Sequence, residues 1–352
     1  MRILFMTEYG EGLPLALHCK IKRADVKMYI EKDINVGTGL VDITKDWLED
    51  AKESDFAVIT SSNLYKYHKM VNKWTPTIGG SKIEYQLNTD SNLWKTLFKL
   101  GDGQLKIPDP ESKPVQYVIG AWHGKGGFRL PAVLAKVERG LLTDGKGINV
   151  DGTGICVISD VGRLLWEKFL KPFKEPLRRH HYIGFINMLI GFDGKELYPL
   201  AFRAGLDSFL IPPIKEITKA RFPYFLQSLI RKDPISSNIT PYYGIAINIS
   251  VPPYPYTNVK VHQVPLNGYC DENSSHIWLI DANKENGAIR CAGNTGALGY
   301  ITARGISMNI AKRRASRTIS SLDIPHLQYR NDIGNGFIAE IKKINRIYPF
   351  MR

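Results

Sequence analysis

A Gly-Glu-Gly turn, Gly10 to Gly12, separates a short apolar run, RILFM at 2–6, from a stretch with helical spacing, LPLALHCKIK. At a strand-to-helix junction, backbone N–H groups converge with the positive end of the helix, so such a turn can cradle a phosphate. A lone G-x-G is also an ordinary tight turn, and both readings stand at this point. A second glycine-rich stretch, LLTDGKGINVDGTG at 141–154, holds Lys146, the one lysine in a phosphate-loop-like setting. It lacks the GxxxxGK[ST] spacing, which makes a surface loop the plainer reading. No nucleophile elbow accompanies a serine, and no Cys-His context can be read. Cys19, Cys156, Cys270 and Cys291 lie far apart, with no CxxC pair, and are expected to be buried thiols in a reducing compartment. His180 and His181 are adjacent and would point to opposite sides of a strand, so no metal site is read from the sequence.

Charge is the largest departure from an average composition. The net charge is +13 over 352 residues, and the pI of 9.4 favours polyanionic company: nucleic acid, nucleotides or phosphorylated metabolites. Lys312, Arg313, Arg314 and Arg317 cluster, and Lys342, Lys343, Arg346 and Arg352 make the tail basic. Each cluster reads as a solvated helix face or as a nucleic-acid surface; no RNP-type aromatic motif or zinc finger accompanies them. Hydrophobic content of 43% and charged content of 23% are those of a globular chain. No apolar run reaches the roughly 18 residues of a membrane span. The opening MRILFMTEYGEG turns polar too early for a secretory signal. A soluble, cytoplasmic protein with no membrane partner is expected.

The elements that must position these residues fall into three expected units. In 1–112, RILFM, VKMYI and DFAVIT alternate with helical segments, as in a small parallel sheet. IGGSK then leads to a helix, and Glu111–Pro114 reads as a linker. In 113–240, VQYVIGAWHG, ICVIS and YIGFINMLIGF with LYPLAFRAG suggest antiparallel strands, the last two joined by an Asp193-Gly194 hairpin signal. VGRLLWEKFLKPFKEPL reads as an amphipathic helix between them. In 241–352, YYGIAINIS, HIWLIDA and ALGYITARG alternate with turns and precede the helix SMNIAKRRASRTISSL. VPPYPY at 251–256 reads as a rigid connector or a proline-aromatic ligand. The fold class expected is α/β and α+β: an N-terminal parallel sheet, a reduced central region and a mixed C-terminal unit.

Several of these segments, in this order, resemble the phosphoribosylamine-glycine ligases of the ATP-grasp superfamily. They are ILFMTEYGEGLPLAL, IGGSK, GAWHGKGGF, LLTDGKGINVDGTG, YIGFINMLIGFDGKELYPLAFRAG, AINISVPPYPY and the closing TARGISMNIAKRRASRTISSLDIPHLQYRNDIG. The most specific is Tyr329, Arg330, Asp332, Ile333 and Gly334, which match a YRxDIG ending. The resemblance implies an ATP-dependent ligase that activates a carboxylate as an acyl phosphate for attack by an amine. It implies Mg²⁺ and basic groups that offset the phosphoryl charge. By the same resemblance Lys146 would stand near the nucleotide, and Arg330 and Asp332 could face the cleft or pair with each other.

Three departures accompany the likeness. The family's nucleotide-covering subdomain would have to fit between KIPDP and VQYVIGAWHG, where only Glu111–Pro114 stands. The family's metal-binding pattern, like EFNxRFG, is matched by YPLAFRAG, which keeps Arg203 and Gly205 but has Pro199 and Ala201 where oxygen ligands belong. The GGREHA-type loop is replaced by Gly10-Glu11-Gly12-Leu13-Pro14-Leu15, which leaves only backbone groups to hold an anion. The function expected is therefore a degenerate ATP-grasp protein that no longer ligates and acts by binding a protein partner, nucleotide or nucleic acid. The alternatives are an active amide ligase with a rebuilt metal site, for which alone ATP and Mg²⁺ would be cofactors, and a nucleic-acid-binding protein using the basic C-terminal surface. Short connections would suit a compact genome such as a virus's.

Overall fold

The computed structural model describes residues 1–32, 34–90, 92–97, 115–159, 162–206, 208–231, 242–256, 259, 261 and 263–349. The expected linker Glu111–Pro114, the unit boundaries near 112 and 240, Asp207 and Arg352 lie outside them.

The first sheet is built from β1 (Arg2–Thr7), β2 (Asp25–Ile30), β3 (Asp42–Thr44), β4 (Phe56–Ile59) and β5 (Thr77–Ile78), in the order β3-β2-β1-β4-β5. All its pairings are parallel. Helices α1 (Leu13–Ile21), α2 (Trp47–Glu53) and α3 (Tyr65–Val71) are the crossovers, and α4 (Lys82–Thr89) and α5 (Leu93–Leu97) follow β5. Parallel strands covered on both faces read as continuous apolar runs, and β1 and β4 are buried on both sides. Two sheet strands, β3 and β5, are too short and too polar to be seen in the sequence. Local signals set the helix starts: Asp46 accepts from the Glu49 N–H ahead of α2, and Ser81 from the Glu84 N–H ahead of α4. The chain winds one way from β1 to β3 and then returns to the other side of β1 with β4, so the order reverses between β1 and β4. In open α/β sheets, ligands bind at such a reversal, beyond the carboxyl ends of the strands.

The second sheet contains β6 (Val115–Gly124), β7 (Gly127–Gly140), β8 (Asn149–Ser159), β9 (Gly184–Phe192), β10 (Leu197–Ala204), β11 (Tyr243–Ser250), β12 (Ile277–Leu279) and β15 (Ala297–Gly305). Its eight strands run antiparallel in the order β10-β9-β6-β7-β8-β11-β15-β12, so strands from both sides of residue 240 share one sheet. A separate hairpin pairs β13 (Ala282–Glu285) with β14 (Ala288–Cys291). The helices of this half are α6 (Gly162–Phe169), α7 (Lys174–Arg179), α8 (Ile211–Ile217), α9 (Phe222–Ile230), α10 (Asp271–Ser274), α11 (Met308–Ser320) and α12 (Phe337–Ile347). The single amphipathic helix expected from VGRLLWEKFLKPFKEPL is α6 and α7, broken by a 3₁₀ turn at Lys171–Phe173, where Pro172 cannot continue the hydrogen-bond ladder. His180 caps α7 and His181 follows in the left-handed region with φ 51°, so neither lies on a strand. α11 buries Met308, Ala311, Ala315 and Ile319, one face at helical spacing.

The two sheets are pinned to each other. Gly37 N donates to Ala282 O at 2.8 Å, and Lys284 N to Thr38 O at 2.8 Å. Asn88 on α4 bridges the backbone of Ala204 in both directions, donating at 2.7 Å and accepting at 3.1 Å. The buried His18 ring stacks on Trp278, centroids 4.2 Å apart. One apolar core runs through both halves. Cys19, Cys156 and Cys291 are buried free thiols, but Cys270 is exposed, since it caps the short surface helix α10. Among the described residues no helix is long and apolar enough to cross a membrane.

Candidate functional site

The β1/β4 reversal opens into a crevice of about 520 Å³. It is lined by Glu8, Tyr9 and Glu11 after β1, Thr60, Ser61 and Ser62 after β4, Asn187 of β9 and Arg203 of β10, with residues 204–206. Asn187 and Arg203 are direct partners across the two strands. The structure thus brings Glu11, the middle residue of the Gly10–Gly12 turn, and the Arg203–Gly205 segment, far apart in sequence, to one site.

The turn itself is filled from within. Glu11 Oε1 accepts the Glu8 N–H at 3.1 Å and Oε2 the Tyr9 N–H at 2.8 Å, while the Thr60 hydroxyl donates to Oε1 at 3.0 Å. Gly12 N donates to Thr7 Oγ1 at 3.2 Å, and Leu13 N to Gly10 O at 2.9 Å. A carboxylate of the chain therefore takes donors that a bound phosphate would need. Gly10 permits the loop to turn this tightly: its φ is +82°, and a Cβ there would lie 2.6 Å from Val36 Cγ1. Glu8 is engaged as well, accepting Ser61 Oγ at 3.0 Å and Asn63 Nδ2 at 2.8 Å.

Glu84, on the first turn of α4, is the third carboxyl of the crevice and is wholly buried. Neither of its oxygens makes a hydrogen bond of good geometry. Burial pushes its pKa up to about 8, with the Gly80 N–H and the Tyr182 hydroxyl pulling weakly the other way, so it is protonated at pH 7. Gly205 makes room for it: φ is +128°, and a Cβ would stand 3.1 Å from Glu84 Oε1. Arg203 is exposed to the crevice, and among the described residues no carboxylate pairs with it.

A Mg²⁺ ion bound as in the ligases would need oxygen ligands on β10. That strand carries Pro199 and Ala201 at the relevant positions and bulges between them. Glu8 and Glu11 already accept hydrogen bonds, and burial disfavours the charged form of Glu84. Among the described residues no group of three or more His, Cys, Asp or Glu could hold a metal. The residues present do not fit the ion.

The other predicted residues lie elsewhere. Arg330 and Asp332 form a bidentate pair at 2.6 and 2.9 Å. Arg330 Nη1 donates to Gly140 O at 2.9 Å, and Asp332 accepts the Asp144 N–H at 2.9 Å. With Ile333 packed over Gly154, the YRNDIG ending clasps the β7–β8 hairpin. Lys146 is exposed in the turn of that same hairpin, where its N–H and carbonyl close the turn. The Lys146 loop and the YRNDIG ending thus meet as a structural clasp, as the surface-loop and mutual-pair readings expect. On α11, Lys312 donates to Asn335 at 2.7 Å and Arg314 to the Arg304 carbonyl at 2.9 Å, whereas Arg313 and Arg317 are exposed. Lys342, Lys343 and Arg346 are exposed on α12. Glu8, Glu11, Thr60, Ser61, Glu84 and Asn187 escaped sequence reasoning. The available signal was position: polar residues directly after β1 and β4 stand at the carboxyl edge of a parallel sheet.

No described protein family matches the sequence, and no curated protein does. Solved structures match the fold across almost the whole chain. Phosphoribosylamine–glycine ligase from Thermotoga maritima superposes with a TM-score of 0.66 at 12% identity, over 94% of this chain and 100% of that one. Phosphoribosylglycinamide synthetase from Anaerococcus prevotii gives 0.58 at 12%, over 92% and 98%. Pyruvate carboxylase from Rhizobium etli gives 0.65 at 10%, over 100% of this chain and 40% of that one. The chain therefore has an ATP-grasp-like fold, with its parallel and large antiparallel sheets. At these identities the likeness is one of fold.

Proposed function

We propose that this chain is an ATP-grasp-fold protein that binds without ligating, and that its crevice takes a small anion at Arg203 in place of a nucleoside triphosphate. The observation that carries the reading is the Glu11 carboxylate seated on the Glu8 and Tyr9 N–H groups and the Thr60 hydroxyl. A triphosphate brought to this turn would meet Glu11 and Glu8 with no metal ligands nearby to offset the charge. Arg203, beside Asn187, offers one guanidinium fork, which suits a single carboxylate or phosphate group. The partner that such a scaffold serves is a protein, a nucleotide or a nucleic acid.

One feature favours a second reading, an active amide ligase whose covering subdomain and metal ligands come from another chain: Arg203 and Gly205 remain at the crevice that the fold makes available. ATP and Mg²⁺ would then be required. Phosphate release from ATP, measured with Mg²⁺ and each of the common amino acids, separates the two. Release no faster than in an Arg203→Ala control fits a binding scaffold; saturable release that needs both Mg²⁺ and an amino acid establishes the ligase.

A further inference from the structure

α1 starts at the crevice turn and is nine residues long, about 14 Å at 1.5 Å per residue. At that far end Lys22 and Arg23 meet Lys215 of α8, Lys219 and Arg221 of the α8–α9 connection, and Arg304 of β15, around a cleft of about 520 Å³. A second cleft of about 390 Å³ shares His276 and Arg304 with it and adds Arg314 and Arg317 of α11. The two form one trough. Among the described residues that line it the one acid is Glu216, whose Oε1 is already taken by His276 Nδ1 at 2.8 Å and Thr302 Oγ1 at 2.6 Å. Among the described residues Lys22, Arg23, Lys219, Arg221, Arg304 and Arg317 form no ion pair.

Basic residues at helix ends have an ordinary explanation, the favourable interaction with the last carbonyls. It covers Lys22 and Arg23 after α1 and Lys215 in the last turn of α8. It also covers Lys219 just after α8 and Arg317 in the last turn of α11, but not Arg221, which precedes α9, or Arg304 on β15. Arg23 also sits at φ 67°, in the left-handed position after a helix where glycine is the usual residue, and a side chain there costs about 1–2 kcal/mol. Lys215 is held below its usual pKa, first by burial and, against the pull of Glu216, by Lys22 and Arg304. Cations have been gathered against their mutual repulsion. Among the described residues the exposed aromatics, such as Tyr9, Trp74 and Tyr256, line neither cleft, and the partly buried Tyr242 ring has Arg304 over it at 5.7 Å, so few ring faces are open to stacking bases.

We propose that this trough binds a ligand with consecutive phosphate groups, gripped at one end by Lys22, Lys219 and Arg221 and at the other by Arg304, Arg314 and Arg317. The site reads charge spacing and not base identity. It lies on the far side of α1 from the crevice and includes only two of the residues in the basic C-terminal clusters.

The test uses the full chain, a fluorescein-labelled 20-nucleotide strand followed by anisotropy, and inorganic tripolyphosphate followed by calorimetry. Lys219→Glu/Arg221→Glu reverses two exposed charges in the trough; Lys342→Glu/Lys343→Glu reverses two on α12. Thermal melts verify that both variants fold. A strand that binds the wild type, loses at least about ten-fold affinity in the first variant alone, and shows a salt slope shallower by about two there, identifies a nucleic-acid backbone as the source. Tripolyphosphate binding with the same variant dependence, without strand binding, identifies a compact polyphosphate. Absence of both, or equal effects of the two variants, overturns the proposal.

Discussion

Replacing Glu11 with alanine removes the acceptor for the Glu8 N–H, the Tyr9 N–H and the Thr60 hydroxyl. Hydrogen bonds to a charged group contribute about 1.5–3 kcal/mol each, but the three are unequal here. Tyr9 is exposed, so its N–H returns to water, and Thr60 Oγ1 can turn to the Met6 carbonyl 3.2 Å away. The Glu8 N–H, in a part-buried contact, has no such substitute. The net loss should be about 2 kcal/mol, a fall in Tm of about 3 °C for a chain of this length. Glu11→Gln keeps one carbonyl acceptor and should fall about halfway. The freed donors should also create an anion site. In melts with phosphate against chloride at matched ionic strength, Glu11→Ala should gain more than the wild type, by about 1.4 kcal/mol at ten times Kd. If Glu11→Ala melts within 0.5 °C of wild type and responds to phosphate no more than it, the self-occupied turn is wrong.

Glu84 gives a pH signature. Its folded-state pKa is raised from 4.5 to about 8 by burial, so the stability it allows is complete below about pH 4.5 and is lost as pH rises towards 8, by at most about 5 kcal/mol. Denaturant melts from pH 5 to 9 should show the decline in wild type and a flatter profile in Glu84→Gln; parallel profiles would contradict it. Asp332 gives the opposite signature: the Arg330 hydrogen bonds hold its pKa down to about 2. Its contribution, about 2 kcal/mol, is present above about pH 4 and disappears as pH falls through 2. Asp332→Asn should therefore cost about 2 kcal/mol at pH 7 while leaving the crevice unchanged, and a loss confined to crevice binding would refute the clasp.

Much of the architecture was legible because apolar runs and turn chemistry agree with the fold. VQYVIGAWHG and ALGYITARG stand out by predominantly apolar character, and each forms one strand of the second sheet. The fourteen-residue β7 was not legible, since Pro131, Lys136 and Glu138 interrupt its pattern; Lys136 is steadied there by Glu138 and Glu340. α12 was read only as a basic tail, although Phe337, Ile341 and Ile344 bury one face of a helix. For the site, Gly10, Gly12, Arg203 and Gly205 were named from motifs; Arg203 and Gly205 line the crevice, whereas Gly10 and Gly12 only flank Glu11, which lines it. That Glu11 would turn back into its own loop depends on a tertiary partner, Thr60, from another strand. Arg330 and Asp332 are two residues apart and pair locally, a possibility the sequence left open against a role in the cleft.

Calorimetry with Mg·ATP tests most directly the proposal that the crevice takes a small anion in place of a nucleoside triphosphate. The titration belongs in the Lys219→Glu/Arg221→Glu background, so that the basic trough contributes no heat, with Arg203→Ala added as the crevice control. No saturable heat at millimolar Mg·ATP is the predicted result. Micromolar binding that disappears with Arg203→Ala would contradict it and make the chain a nucleotide-binding ligase scaffold.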